Sequence, residues 1–581
     1  TLVSGRELPM HLGLPTRSVH GLPIIEHAEF GRNVPDEAMP DEDKMNLGKI
    51  YHMGKEEAAG LILNRQAMAS HTFITGSTGT GKSNAVYHLL DEITKNGQTT
   101  FLVVEPAKGE YKNVFGNCTD VQVFGTNPRE TPLLRMNPFA FPENIHILEH
   151  IDRLVEIFNA CWPMHAAMPA VLKDAIERSY QKVGWDLRNS ESEKGIFPTF
   201  FDLLDILPGV IEESHYSKDT QSDYVGALCT RVKSLTNGIY GSVLCAEDAL
   251  TDEALFDRNV IVDLSRVGSM ETKSLLMGIL VMKLQEYRMC SSGMNSRLRH
   301  VTVLEEAHNL LRKTSAEQSQ EGANLQGKSV EMLANAIAEM RTYGEGFIIA
   351  DQAPGLLDMS VIRNTNTKII MRLPDEEDRK LVGKSAALKE AQIDELSKLP
   401  LGVAAVYQNE WPEAVLCKIE AYPMPENAVY HKPSKMPHEI NAEFVFGQLA
   451  VGKELEPLSS SEMEQLKLWL KRHETVLKPE DDRYLERVFA GGELDVAKTR
   501  KAVFDFFGGI GTVVDYCAAA KKSLTPRKEF LEQLQGQYGL KAAAADWVLN
   551  SVISMGMSLN PDAKAVDNLR TNFEQQGGRV L

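Results

Sequence analysis

The sequence predicts an α/β protein in which a doubly wound, mostly parallel sheet carries a helical insertion and is followed by a helical C-terminal region. Short apolar segments alternate with amphipathic ones from residue 72 to 420, as expected for strands buried on both faces and helices covering them. A glycine-rich loop follows the first buried strand of this region. Two long stretches, 140–256 and 436–581, show mainly helical spacing.

The glycine-rich loop has the complete G-x-x-x-x-G-K-[ST] pattern of a phosphate-binding loop. Its glycines let successive backbone N–H groups point at phosphate oxygens, and the helix that follows presents its positive N-terminus to the same anion. Lys82 supplies a charge for the β- and γ-phosphates, and the Ser83 hydroxyl is placed to ligate Mg²⁺. The predicted ligands are ATP and Mg²⁺, and the predicted binding residues are Gly76, Ser77, Thr78, Gly79, Thr80, Gly81, Lys82, Ser83 and Asn84.

Composition narrows the class of protein. Apolar residues make up 43% and charged residues 24% of the 581 residues, which is ordinary for a soluble globular protein. The seven scattered cysteines form no C-x-x-C pair, which argues against a zinc ribbon or a disulfide framework and for a reducing, cytoplasmic location. The longest apolar run, 275–282, is too short to cross a membrane. Because the net charge is −18, any DNA must bind through a local basic ring or channel.

Residues 1–48 are predicted to be irregular, 49–139 and 257–422 to form the two parts of the sheet domain, 140–256 to be a helical insertion, and 436–581 to be a helical C-terminal domain. The first two strands, 47–51 and 60–63, are expected at the sheet edge. Further strands are expected near 100–104, 121–124, 260–264, 300–304, 347–350, 368–371, 403–407 and 414–419. Helices of the C-terminal region are expected at 462–471, 479–490, 495–507, 526–538 and 542–555.

Hydrolysis of ATP needs a carboxylate at the metal and a base near the attacking water. Two predicted strands end in acids, one in Asp263 and the other in the pair Glu305 and Glu306. The pair is preferred because two adjacent acids can fill both roles, Glu305 at Mg²⁺ and Glu306 at the attacking water. Asp263 is expected at the rim of the site. The alternative for the pair is two acids that complement a helix dipole.

Gln352 follows a predicted strand, where its amide can sense the γ-phosphate or orient water; the alternative is an ordinary turn residue. Arg341, near the end of the preceding helix, is a candidate to project into a neighbouring subunit's site as an arginine finger. Arg363 and Arg372 compete for that role. A solvated surface arginine is the alternative for all three.

These elements, taken in order, resemble the HerA-like branch of the HerA–FtsK P-loop ATPases. The resemblance runs from about residue 45 to 420 and rests on these segments: Gly76 to Ser83, Asn137-Pro138-Phe139, Glu305-Glu306-Ala307-His308, Arg341-Thr342-Tyr343-Gly344, the strand before Gln352, and Asn364 to Leu373.

The resemblance implies a RecA-like core, a homo-hexameric ring with ATP at subunit interfaces, and duplex DNA in the central pore. It implies that Lys82 and Ser83 bind phosphate and Mg²⁺, and that Glu305 and Glu306 serve the metal and the attacking water. It also implies that Gln352 acts as a sensor and that Arg341 acts in the site of a neighbouring subunit. The family's N-terminal β-barrel is not visible in 1–48, so this segment is interpreted as irregular or as a barrel remnant.

The predicted function is therefore that of a HerA-type ATPase that translocates duplex DNA and works with a partner nuclease or NADase-type effector. Bacterial antiviral defence or DNA end processing is the expected setting. Two alternatives stay open: an ATP-gated ring scaffold for an effector enzyme, and a motor ATPase for secretion or conjugation.

Overall fold

The computed structural model describes residues 18, 20, 26–35, 39–164, 167–192, 197–214, 216–246, 249–313, 325–424, 428–433, 483–484, 487–488, 495–522, 525–538, 542–560 and 562–578. The chain divides into two compact units, Thr1–Lys432 and Pro433–Leu581. Each unit has hydrophobic clusters of its own.

An eleven-stranded sheet organises the first unit. Its strands are β1 Lys44–His52, β2 Lys55–Asn64, β3 Thr72–Thr75, β4 Thr100–Glu105, β5 Val121–Gly125, β8 Asn259–Asp263, β9 His300–Glu305, β10 Glu345–Asp351, β11 Thr367–Ile370, β12 Val403–Gln408 and β13 Val415–Ile419. They lie in the order β2-β1-β13-β12-β11-β3-β10-β9-β4-β8-β5. The strands from β11 to β5 in this order run parallel, and β2, β1, β13 and β12 form an antiparallel extension.

Burial on both faces explains why the parallel strands are nearly continuous apolar runs. Side chains of β4, β8, β9 and β10 divide between two apolar clusters, one on each side of the sheet. The predicted mostly parallel α/β sheet is thus confirmed. The placement of both first strands at the edge is wrong for β1, which pairs with β13 on one side and β2 on the other. Only backbone hydrogen bonding between distant segments distinguishes an edge strand from its neighbour.

Helices cover both faces of the sheet. Their bounds in the first unit are α1 Lys82–Thr94, α2 Tyr111–Phe115, α3 Ile147–Cys161, α4 Met168–Lys182, α5 Phe200–Glu213, α6 Lys218–Tyr224, α7 Thr230–Thr236, α8 Gly238–Leu244, α9 Asp252–Phe256, α10 Met270–Ser291, α11 Leu325–Glu339, α12 Met359–Arg363, α13 Glu376–Ser385 and α14 Glu390–Glu395. Across the described ranges, none of the helices has the length and apolarity that crossing a bilayer requires.

Helices α3 to α9 connect β5 to β8. The apolar stripe of α3 is buried, and α3 packs against α10 and α11. A two-stranded hairpin, β6 Trp185–Asp186 and β7 Glu191–Ser192, interrupts the helical stretch and was not predicted. Strands of two residues leave no periodic apolar pattern in a sequence.

In the second unit the helices are α15 Val496–Phe506, α16 Gly509–Ala520, α17 Pro526–Tyr538, α18 Ala542–Leu559 and α19 Ala563–Gln575. They share a core that includes Phe506, Tyr516, Leu549 and Ile553. The predicted helix at 462–471 and most of that at 479–490 lie outside the described residues, as do residues 1–17 and most of the segment between the two units.

Candidate nucleotide-binding site

The loop between β3 and α1 lies where the direction of the sheet connections reverses. Helix α1 leads from β3 toward β4, whereas the segment after β10 crosses β3 to reach β11 on its other side. Parallel α/β sheets bind ligands at such a point, outside the carboxyl ends of the strands. Gly81 has φ 104°, a left-handed conformation that favours glycine. At Gly76, a Cβ atom would lie 2.6 Å from Cβ of Met371, so a side chain does not fit there.

Hydrogen bonds to neighbouring backbone groups hold the loop in shape. The Ser77 amide and hydroxyl both donate to the Arg372 carbonyl, at 3.0 and 3.1 Å. The Thr80 hydroxyl donates to the Ser77 carbonyl at 2.7 Å, and the Thr80 carbonyl accepts from the Gly402 amide at 3.0 Å. The loop is therefore preorganised for an anion.

Asn84, in the first turn of α1, lines the cleft beside the loop. Its side-chain amide nevertheless donates to the Glu420 carbonyl at 3.0 Å, and its side-chain oxygen accepts from the Tyr422 amide at 2.8 Å. Both polar atoms of this side chain thus tie α1 to the segment after β13.

Glu306 follows β9 in a left-handed conformation, with φ 45°. This turn brings its Oε1 to 3.4 Å from Nζ of Lys82, across the intervening strand β10. Its Oε2 is buried and accepts no hydrogen bond; Nδ1 of His308 lies 3.5 Å away. A carboxylate with an unused buried oxygen is a suitable acceptor for a proton from a water molecule in the cleft.

Glu305 is buried behind Glu306 and accepts a hydrogen bond of 2.6 Å from the Tyr111 hydroxyl. Burial raises the pKa of the Glu305 carboxyl, while the Tyr111 bond and the charge of Lys82 oppose that rise. The Ser83 hydroxyl and the Glu305 carboxylate offer oxygen atoms, the donors that Mg²⁺ prefers. The residues present therefore fit this ion.

Two residues without a predicted catalytic role support the acid pair. Asp351, the last residue of β10, is fully buried and accepts bonds from the His308 amide and Nδ1 at 2.8 and 2.9 Å. The bond to Asp351 raises the pKa of His308. Their sequence signal was weak, because an acid at a strand end and a histidine in the next turn become partners only when β9 and β10 pair.

Gln352 lies directly after β10, beside the loop. Its side-chain oxygen accepts a hydrogen bond of 3.0 Å from the Thr78 hydroxyl. Asp263 does not line the cleft; it is paired with Lys112 at 2.6 Å, at the end of β8. The structure thus brings Gln352 to the loop together with Lys82 and Glu306.

The three arginines divide between the two edges of the sheet at which the strands begin and end. Arg341 is exposed in the turn before β10, and Arg363 is exposed just before β11, so both lie at the edge opposite the loop. Arg372 follows β11, and its carbonyl binds Ser77. Arg341 therefore contributes nothing to the site of its own subunit.

Three features lie at the carboxyl edge of the parallel sheet: the phosphate-binding loop after β3, the acid pair at the end of β9 and the polar residue after β10. Together they define a RecA-like P-loop ATPase. Residues 45–283 match the family model described as the helicase HerA central domain. Over these residues the chain is similar to the HerA-like P-loop ATPases.

Individual relatives agree with this assignment. A DNA double-strand break repair helicase HerA of Sulfolobus acidocaldarius is 25% identical over 65% of this chain and 69% of its own length. A probable helicase of Methanocaldococcus jannaschii is 22% identical over 68% of this chain and 76% of its own. Among solved structures, VirB4 of Thermoanaerobacter pseudethanolicus superposes with a TM-score of 0.50 at 18% identity, covering 66% of this chain and 98% of that one, which supports the fold. The relatives named are archaeal, so a bacterial source stays a prediction.

Proposed function

We propose that this chain hydrolyses ATP with Mg²⁺ to drive the movement of duplex DNA. The observation that carries the proposal is the ion pair between Lys82 and Glu306, which joins a phosphate-binding cation and a general base in one cleft. The naming of relatives as helicases supports DNA as the substrate.

In this proposal Lys82 and the loop amides bind the phosphates, and Ser83 and Glu305 hold Mg²⁺. The metal, when bound, neutralises charge on the β- and γ-phosphates. Gln352 orients the attacking water, and Glu306 accepts its proton. Asp351 and His308 hold the turn that carries Glu306.

A homo-hexamer with DNA in its pore completes the proposal. Arg341 supports it, since this exposed arginine lies far from its own loop and is available to a neighbouring subunit. A partner nuclease or NADase-type effector is proposed as well, in bacterial antiviral defence or DNA end processing. The insertion and the C-terminal unit, each with its own helices, are the candidate docking regions.

The second candidate is an ATP-gated scaffold in which hydrolysis only resets an effector. The separate core of the C-terminal unit favours it, because DNA translocation does not itself require such a unit.

The deciding experiment measures the ATPase rate against added duplex DNA, with sizing of the same sample and Lys82→Ala as the inactive control. A hexamer whose rate rises with DNA, and rises less at high salt, supports the translocase. A ring that hydrolyses ATP at one rate with and without DNA contradicts it and favours the scaffold. A chain with no ATPase activity in either condition contradicts both.

A further inference from the structure

A second cation faces the nucleotide cleft. Lys108, in the loop between β4 and α2, lines the cleft together with Lys82, Glu306 and Gln352. Among the cleft-lining residues in the described part of the chain, Lys82 and Lys108 are the positively charged ones. Since Lys82 is already engaged with Glu306, Lys108 is the less committed of the two charges.

The loop holds Lys108 in a conformation that lysine rarely adopts. Lys108 has φ 63° and Gly109 has φ 71°, so two successive residues are left-handed. The buried Glu105 carboxyl group closes this turn by accepting bonds from the amides of Glu110 and Tyr111, at 2.7 and 3.2 Å. Glycine at this position would relieve the backbone strain, yet the chain carries a lysine that faces the cleft. Strain of this kind indicates that the Lys108 side chain has a function there.

The ammonium group of Lys108 remains available to a ligand. Its carboxylate neighbour is Glu110, 3.7 Å away, and both side chains are about half exposed. An ammonium held this loosely can exchange an exposed carboxylate for a phosphate oxygen at little cost. Lys108 lines the same cleft as Ser83 and Gln352, beside the phosphate-binding loop.

We propose that Lys108 is a catalytic residue that acts within its own subunit on the γ-phosphate of bound ATP. The inference rests on the proposed ATPase function. During hydrolysis a water oxygen bonds to the γ-phosphorus, the bond to the β–γ bridging oxygen breaks with its electron pair left on ADP, and Glu306 takes the proton of the water. Lys108 stabilises the negative charge on the transferring phosphoryl group, while Lys82 binds the ground state as well.

The test compares Lys108→Ala with wild type in three measurements: kcat, the affinity for ADP, and the affinity for ADP with aluminium fluoride as a mimic of the transferring phosphate. We expect kcat and the affinity for the mimic to fall in parallel by about 100-fold, the effect of losing one preorganised charge donor. The affinity for ADP should change by less than about 3-fold, because ADP lacks the γ-phosphate. Lys108→Arg should recover part of the loss, since it keeps the charge.

Two further variants separate catalysis from folding. Lys108→Gly removes the charge and relieves the left-handed strain, so its thermal midpoint should be no lower than that of wild type while kcat stays as low as in Lys108→Ala. Lys95→Ala is the matched control, because Lys95 is 57% exposed against 55% for Lys108, pairs with carboxylates, and lies at the end of α1 away from the cleft.

A kcat for Lys108→Ala within about 2-fold of wild type would overturn the inference and leave the ATPase assignment standing. An equal loss of affinity for ADP and for the mimic would overturn it too, since Lys108 would then act on binding alone. Absence of hydrolysis by the wild-type chain would instead refute the proposed function itself.

Discussion

Nζ of Lys82 lies 3.4 Å from Oε1 of Glu306, and these side chains are only 11% and 12% exposed. The proposed phosphate-binding cation therefore neutralises the proposed general base. In the proposed mechanism, a γ-phosphate gives Lys82 a stronger anionic partner and frees Glu306 to accept a proton from water. Binding of ATP and activation of the base would thus be coupled through one ion pair.

Replacing Glu306 with Gln should abolish turnover and preserve nucleotide binding. The amide cannot accept the proton, so we expect kcat to fall by about 100-fold or more. Lys82→Ala, in contrast, should abolish binding itself. ATPase kinetics and fluorescent-nucleotide titration test both variants, with Glu376→Gln, an exposed acid on α13, as the control. Normal hydrolysis by either site variant would refute the assignment.

Replacing Gln352 with Ala should lower kcat roughly 10- to 100-fold with little change in KM, because a group that orients water acts mainly in the transition state. Thr78→Val, which removes only the hydroxyl that donates to Gln352, should have a smaller effect. Steady-state kinetics measures both. If Gln352→Ala behaves like wild type, Gln352 is a turn residue.

Replacing Tyr111 with Phe should raise the Mg²⁺ concentration needed for half-maximal ATPase activity roughly 10-fold. The Tyr111 hydroxyl supports the buried Glu305 carboxylate, and loss of such a partner typically weakens a metal site by that amount. Magnesium titration of the ATPase rate tests this. Tyr180→Phe is the control, since this buried tyrosine donates instead to the Phe139 carbonyl in the insertion. An unchanged requirement in Tyr111→Phe would separate Glu305 from the metal.

Stability should fall as pH rises from about 4.5 to about 8 because of Glu105. Burial raises the pKa of this carboxyl from 4.5 to about 8, despite the bonds it accepts from the Glu110 and Tyr111 amides. Within this window the folded chain keeps the proton that the unfolded chain has lost, so each pH unit removes up to about 1.4 kcal/mol of stability. Glu105→Gln, which cannot ionise, should flatten this slope in unfolding experiments. An equal slope in the variant would contradict the ionisation of Glu105 as its source.

Mixing Arg341→Ala subunits with Lys82→Ala subunits should restore ATPase activity at mixed interfaces if Arg341 acts in trans. Each variant alone should be inactive, and activity should peak at intermediate ratios. The same experiment with Arg363→Ala and Arg372→Ala tests the competing residues. Failure of Arg341 mixtures at every ratio would assign Arg341 a structural role.

Much of the fold could be predicted because each part left a local signal. The run Val260-Ile261-Val262 predicted the buried strand β8. The inner position of β1 could not be predicted, since it depends on pairing with β13, more than 350 residues later in the chain.

The candidate site likewise contains residues with a local sequence signal and residues without one. The loop motif and the pair Glu305 and Glu306 are local in sequence, so their backbone requirements and chemistry can be recognised directly. Lys108 and Asp351 carry no motif that separates them from other lysines and aspartates. They become part of the site because the carboxyl ends of β4, β9, β10 and β3 meet at one edge of the sheet.

The sequence alone determined that the chain binds a nucleotide on an α/β sheet, because phosphate binding depends on a short run of backbone and neighbouring side chains. The partners of those side chains emerged only from the tertiary structure: Tyr111 for Glu305, Glu306 for Lys82, and Asp351 for His308. Each pair joins residues 40 or more positions apart, and such contacts arise from strand order and crossing connections that local propensity does not encode.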